Sequence, residues 1–255
     1  MEAIVRFLGD LRSMVAGCDA DGLLRYPVTR RASVKDVIEA LGVPHTEIER
    51  IVVLGRERGF TLPVEPGQTI AVHPADPPLD VTRPTVLRPD PLTHLAFAAD
   101  ANVGRLATLL RLLGYDTTYA PQADDAALAA HAAQTGRVVL SRDQGCLKRT
   151  AIVFGHWIRA NDPQEQLRDV ARRYGLRAIA PFRRCLRCNE PLQAVAKKDI
   201  LAQLLPKTKK YFDAFMRCPH CGRIYWAGSH YDGMRQRLEA LGIPADGDQL
   251  RPFSR

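Results

Sequence analysis

Apolar and polar positions follow three different regimes along this chain. Over the first 80 residues, short alternating apolar runs at Ala3–Leu8, Leu23–Val28, Ile51–Leu54 and Thr69–Val72 are flanked by polar or turn residues and predict four strands. Between the second and third runs, Val34, Val37, Ile38 and Leu41 recur at three- and four-residue steps and predict one helix over Ser33–Leu41. Ser33 and Asp36 imitate a capping box, and Gly42 and Pro44 end the helix. Two strands, a helix and two more strands predict a β-grasp arrangement.

The second regime has little apolar pattern. Six prolines fall in the 18 residues from Pro74 to Pro91, where large apolar side chains are few. Proline fixes φ and removes a donor, so the stretch is expected to be a semi-rigid spacer rather than a packed element.

In the third regime, short apolar runs alternate with helical patterns. Strands are expected at His94–Ala99, Asp116–Tyr119, Arg137–Ser141 and Ala151–Phe154. The first helix carries Val103, Leu106, Leu109, Leu110 and Leu113 on one face, with Asp100 at its N-cap and Gly114 closing it. Further helices are expected at Ala126–Gln134, at Pro163–Tyr174 and, near the end, at Met234–Leu241. Alternation of this kind predicts a parallel sheet covered on both faces. The expected organisation is a β-grasp domain over 1–76, a linker over 77–92, an α/β domain over 93–180 and a cysteine-rich region over 181–255.

Composition is that of a soluble globular protein, with 46% apolar and 25% charged residues. The N-terminus lacks the pattern of a signal peptide and no apolar run reaches membrane-span length, which predicts a cytoplasmic protein with no membrane partner. The net charge of +8 is uneven: 9 Lys/Arg against 12 Asp/Glu over residues 1–80, 9 against 6 over 81–160, and 18 against 10 beyond. A strongly basic C-terminal third suits a phosphate-rich partner.

In a parallel sheet the C-terminal strand ends share one edge. Asp100 and Asp143 are expected to project there, and Asp124 and Asp125 open a helix starting from the same side. Carboxylates gathered at one crevice repel unless cations neutralise them, and all-oxygen ligands suit Mg²⁺ or Mn²⁺. Such ions activate water and stabilise charge on phosphate under attack. Each aspartate also has a simpler reading as a helix cap, and Asp116 reads as a turn or strand-edge residue. Arg105, one turn from Asp100, is the better-placed phosphate contact. Arg111 lies about 120° round the helix from it and reads as a solvated side chain. Arg142, Lys148 and Arg149 flank Asp143 and suit either RNA contact or salt bridges.

Cys185-Leu-Arg-Cys188 and Cys218-Pro-His-Cys221 are two C-x-x-C knuckles that supply four thiolates for a structural Zn²⁺. Arg183, Arg184, Arg187 and a run of lysines surround them, interleaved with Tyr211, Phe212, Phe215, Tyr225 and Trp226. Basic and aromatic residues together suit phosphate contact and base stacking on single-stranded RNA, while Tyr225 and Trp226 also suit a small ribbon core. His230 reads either as a phosphate or proton-transfer contact or as a structural histidine.

Two resemblances bear on this reading. Residues 1–76 resemble ubiquitin-like domains of the sulfur-carrier type but run on without a Gly-Gly tail, so a docking or supporting role is expected, with a protein partner as one option. The pattern D-x-N-x-G-R-L-A-x-x-L-R-x-L-G-Y-D, then D-D-x-x-L, then G-R-V-V-L-S-R-D resembles the Mut7-C ribonuclease family, within the wider group of PIN-like nucleases. That resemblance implies a PIN-like parallel-sheet nuclease domain, a C-terminal zinc ribbon and an N-terminal ubiquitin-like domain. It implies Asp100, Asp125 and Asp143 as acidic ligands, with Asp124 as alternate or fourth. Ser141 stands where threonine is more usual and keeps the hydroxyl.

The expected function is metal-dependent hydrolysis of RNA, with Arg105, Arg142, Lys148, Arg187 and His230 as RNA contacts. The alternative is a non-catalytic RNA-binding adaptor acting on tRNA or the ribosome. A metal-dependent phosphatase of another α/β class is the third reading, and it leaves the ribbon and the basic tail without a purpose.

Overall fold

The computed structural model describes residues 1–178 and 183–243. The side chains of Ser229, His230, Tyr231, Arg235 and Arg237 also lie outside the described residues, so the expectation for His230 falls there.

The front of the chain forms a five-stranded mixed sheet. β1 (Glu2–Phe7) pairs antiparallel with β2 (Leu23–Pro27) and parallel with β5 (Thr69–Pro74). β5 in turn pairs antiparallel with β3 (Ile48–Val53), which carries the short β4 (Arg56–Glu57) at the edge. Alternate residues Ala3, Val5 and Phe7 point inward with Ile51, Ile70 and Val72, and α1 (Val34–Ala40) closes this core with Val34, Val37 and Ile38. The Ser33–Asp36 capping box forms as the spacing predicts. This is the β-grasp fold.

The second sheet is wholly parallel, in the order β7-β6-β8-β9. Its strands are β6 (Phe97–Ala99), β7 (Thr117–Tyr119), β8 (Val138–Ser141) and β9 (Gly155–Trp157). Strand alternation sorts the side chains by face. Phe97, Ala99, Val138 and Leu140 pack with α2 (Gly104–Leu112) and α5 (Pro163–Tyr174). Ala98 and Val139 pack with α3 (Asp125–Thr135) and α4 (Gln144–Leu147) on the other side. Both faces are covered, which is why the strands read as near-continuous apolar runs.

Three sequence expectations shift before the ribbon. The fourth strand is Gly155–Trp157 rather than Ala151–Phe154. Ile152 and Phe154 are buried by the turn that leads into it, so their apolarity reports burial and not pairing. A 3-10 turn over Ala101–Val103 stands between Asp100 and α2. The proline-rich stretch is packed: Val81, Leu87 and Arg88 are buried, Leu79 N–H donates to the Arg173 carbonyl and Leu92 N–H to the Val81 carbonyl. Side-chain burial there is carried in part by a guanidinium, which a search for large apolar residues does not register.

The C-terminal ribbon has three antiparallel strands, β10 (Gln193–Val195), β11 (Phe215–Arg217) and β12 (Ile224–Tyr225). Two short helices, α6 (Lys197–Ile200) and α7 (Pro206–Tyr211), occupy the long segment between the cysteine pairs. The last helix, α8, spans Ser229–Ala240, five residues earlier than Met234 at its start. Leu238 of α8 and Ile243 beyond it join the core on the α2/α5 face of the parallel sheet.

Candidate functional site

β6 ends in Asp100 because three fully buried residues, Phe97–Ala99, precede it and the chain must then leave the core. Its backbone N–H makes the final ladder bond to the Leu140 carbonyl. The carboxylate is held by donors on both oxygens. Ala101 N–H reaches Oδ1 at 2.5 Å, while Asn102 Nδ2 and Ser141 Oγ reach Oδ2 at 2.7 and 2.5 Å. The Ser141 hydroxyl also accepts from the backbone N–H of Asp143 at 2.9 Å. One buried hydroxyl therefore ties the carboxylate of one strand end to the backbone of the next. Asp143 accepts from Gly145 N–H at 2.7 Å and caps α4. Among the described residues neither Asp100 nor Asp143 forms an ion pair.

Asp124 caps α3, accepting from Ala127 N–H at 2.8 Å. Asp125, the first residue of α3, lies 3.8 Å from Arg149 Nε. Burial, and then the negative charges of Asp125, Asp100 and Asp143, push Cys146 up to about 12. Asp100 and Asp143 stand at neighbouring strand ends joined through Ser141, and Asp125 opens α3, the helix that packs with Cys146. Their oxygens do not close to the separation seen in the cysteine cluster, the one group of potential ligands among the described residues with all atoms within 4.8 Å of one another.

A groove runs over this edge. A cavity of about 570 Å³ is lined by Asp143, Lys148 and Trp157, and a neighbouring one of about 420 Å³ by Arg105 and Tyr119; Asn102 and Arg142 line both. Arg105 is exposed, and the Arg142 guanidinium donates to the Asn161 side chain. Lys148 Nζ donates to the Glu39 carbonyl of the β-grasp domain at 2.7 Å, so the cation beside Asp143 is held from the other domain. A larger cavity of about 660 Å³, bounded by Leu87–Thr93 and Gly136–Arg137, sits at the opposite ends of the strands, away from these carboxylates.

Several basic residues have structural partners that the sequence did not disclose. Arg111 is buried rather than solvated. Its Nε donates to the Thr117 carbonyl at 2.9 Å, and Nη1 donates to the carbonyls of Leu186 and Arg187 at 3.0 and 2.8 Å. The helix face that points away from Arg105 is covered by the first cysteine knuckle, which no periodicity within the helix could reveal. Asp116 precedes β7 at the edge opposite Asp100. It pairs with Arg137 at 2.6 Å and Arg184 at 3.6 Å and accepts from Asn189 Nδ2, so it fastens the ribbon to the sheet. Arg187 contributes its carbonyl to Arg111 and keeps its side chain exposed.

Cys185, Cys188, Cys218 and Cys221 converge with all four sulfurs within 4.8 Å. The closest pairs, Cys188–Cys218 at 3.4 Å and Cys185–Cys221 at 3.6 Å, are far longer than a disulfide bond and suit thiolates around a shared tetrahedral ion. The Tyr225 hydroxyl lies 3.2 Å from Cys185 Sγ and accepts from Leu186 N–H, a supporting contact of the kind that orients metal ligands.

The junction between the first two domains is polar and buried. His156 of β9 sits between Glu47 at 3.1 Å and Asp169 at 2.8 Å; since carboxylates only accept, both ring nitrogens donate and the ring is an imidazolium. Burial opposes that charge and Glu47 restores it, so His156 is raised. Glu47 also pairs with Arg173 at 3.1 Å and accepts from Trp157 N–H at 2.7 Å. Burial alone would raise it, but the charges of Arg173 and His156 prevail and hold it at about 2. Arg88 from the proline-rich stretch pairs with Glu49 and donates to the carbonyls of Thr46 and Val153.

A parallel sheet with aspartates at its C-terminal strand ends, followed by a four-cysteine ribbon, defines an α/β domain with a four-cysteine module behind it. The model of the Mut7-C RNAse domain matches residues 95–238 and that of the Mut7-C ubiquitin domain matches residues 1–80. The chain belongs to the Mut7-C RNAse domain family and carries the Mut7-C ubiquitin domain in front. No curated protein and no solved structure matches it.

Proposed function

We propose that the protein is a metal-dependent ribonuclease that hydrolyses RNA phosphodiester bonds at the edge formed by Asp100, Asp125 and Asp143, with Asp124 as helix cap and alternate ligand. The observation that supports this reading is the Ser141 hydroxyl, which donates to the Asp100 carboxylate at 2.5 Å and accepts from the Asp143 backbone N–H at 2.9 Å, so that two of the three aspartates stand at neighbouring strand ends of one sheet edge. The donor set fits a hard divalent cation, because it offers carboxylate oxygens and Cys146 stays a neutral thiol. Because the aspartate oxygens do not all come within 4.8 Å of one another, an ion held there would keep several of its waters, as Mg²⁺ and Mn²⁺ do. Such an ion supplies an activated water and charge stabilisation when bound.

The chain's own residues have separable roles in this reading. Ser141 fixes the Asp100 carboxylate and the Asp143 backbone together. Arg105, Arg142 and Lys148 line the groove and supply positive charge for the phosphates on either side of the cleaved bond. The four-cysteine cluster holds a structural Zn²⁺, and the ribbon grips the RNA.

A second reading has one observation in its favour: both Asp100 oxygens already have protein donors, as they would in an RNA-binding adaptor that kept the carboxylate for structure alone. The two separate in one experiment. Wild type and Asp143→Asn are compared on a mixed RNA pool with Mg²⁺ or Mn²⁺. Metal-dependent cleavage lost in the variant, with RNA binding kept, supports the nuclease. Binding without cleavage by the wild type supports the adaptor, and cleavage untouched by Asp143→Asn refutes the site.

A further inference from the structure

The helical insert between the two cysteine pairs presents a surface that neither the aspartate edge nor the ribbon core uses. The segment from Lys197 to Asp213 holds five lysines against two aspartates. One of these lysines, Lys197, pairs with Asp213 at 2.8 Å. Lys198, Lys207, Lys209 and Lys210 form no ion pair among the described residues.

The aromatics of this region divide sharply. Phe215 is buried against Ile200 and Leu204, and Phe212 and Trp226 pack on that same cluster. Tyr225 is tied to the first cysteine knuckle. Tyr211 alone of the five turns outward, 65% exposed, with Leu205 beside the same helix 72% exposed. On α7, positions 207, 210 and 211 fall within an arc of about 100°, whereas Thr208 is the buried position that anchors the helix. Lys207, Lys210 and Tyr211 therefore share one outer face. Lys210 Nζ lies 5.3 Å from the Tyr211 ring centroid, so a cation and an aromatic ring already stand side by side there.

We propose that this outer face of α7 is a binding surface for single-stranded RNA, with Tyr211 stacking on a base and Lys207 and Lys210 contacting the flanking phosphates. The inference rests on the nuclease reading for its choice of RNA and narrows the ribbon's contribution to one face. An exposed ring set among lysines without acidic partners answers the two requirements of an unpaired strand, a polyanionic backbone and bases whose faces are open. A regular duplex would meet the lysines equally well but would leave the ring without a base to stack on.

The test measures binding of a fluorescent oligouridine and of a duplex RNA to the full zinc-loaded chain, without added Mg²⁺ or Mn²⁺ so that cleavage plays no part. Tyr211→Ala is expected to weaken oligouridine binding roughly five- to hundredfold, with Tyr211→Phe close to wild type and duplex binding little changed. Lys207→Gln with Lys210→Gln is expected to lower the salt dependence of oligouridine binding by about 1.4 in the log–log slope. Equal losses on duplex and single strand would overturn stacking. Unchanged binding in both variants, at full zinc content, would overturn the surface. Tighter capture by phosphatidylserine vesicles than by oligouridine, lost in the lysine variant, would assign the face to a membrane and overturn the proposal. If the Tyr211 variants bind normally while Asp143→Asn still abolishes cleavage, this proposal fails and the nuclease reading stands.

Discussion

Glu47 of the β-grasp domain and Arg173 of helix α5 meet at 3.1 Å across the domain junction, with 1% and 7% of their surfaces exposed. Each would be a costly buried charge without the other. A pair of this kind is weak evidence for net stability, but removing one member leaves the other stranded. Glu47→Gln is expected to destabilise the chain by about 3–5 kcal/mol, read as a shift in the urea midpoint. A loss below about 1 kcal/mol would show that the junction is not closed in solution.

The same carboxylate sets the acid limb of stability. Held at about 2 in the fold against an ordinary 4.5, Glu47 contributes its stabilisation above 4.5 and loses it as the pH falls toward 2. His156 has the opposite sign. Raised above 6.5, it contributes fully below that value and loses its contribution as the pH rises through its folded value. Thermal melts across the pH range are expected to show a maximum between these limbs, and Glu47→Gln should flatten the acid one. An acid limb identical in the variant would exclude Glu47 as its source.

Ser141→Ala removes the hydroxyl shared by Asp100 and Asp143. Ligand-supporting hydrogen bonds of this sort are worth about 10–100-fold in metal affinity or activity, and the expected loss of metal-dependent cleavage is of that size. Ser141→Thr, which keeps the hydroxyl, should restore most of it. Equal activity in all three forms would mean that Asp100 needs no such support.

Arg111→Met leaves the carbonyls of Thr117, Leu186 and Arg187 without their donor. Unsatisfied buried groups cost about 1–3 kcal/mol each, so a loss of about 3 kcal/mol is expected, together with faster amide exchange at the first cysteine knuckle. Exchange unchanged at residues 185–189 would show that the knuckle holds its place without the helix.

The zinc proposed for the ribbon is tested by a separate measurement. One zinc per chain is expected from elemental analysis, and a strong chelator should release it with loss of the β10–β12 structure. Cys218→Ser should purify with less than one equivalent. A wild-type protein free of zinc, with four titratable thiols and an intact ribbon, would refute a structural metal.

The fold was largely readable because its signals are local. Alternation in Ala3–Leu8, the Ser33–Asp36 cap and the run Phe97–Ala99 ending in Asp100 each depend on neighbours a few positions apart. The cysteine cluster was readable for the same reason, its spacing being a chemical requirement. What stayed hidden depends on partners far away in the chain. Arg111 reads as a solvated helix residue until the Leu186 and Arg187 carbonyls cover it. Nothing in the local pattern marks Glu47 or Arg88 for burial, which packing between distant segments supplies. At the aspartate edge, the strand ends were legible, whereas the link through Ser141 and the hold of Glu39 on Lys148 are products of tertiary packing.

The placement of α8 has a consequence for how the molecule is made. Leu238 and Ile243 complete the core on the α2/α5 face of the parallel sheet, yet they are synthesised after every strand of the ribbon. During translation the sheet therefore stands with part of that face uncovered until the C-terminal segment leaves the ribosome. Along the chain the cysteine module is thus enclosed between two parts of a single core.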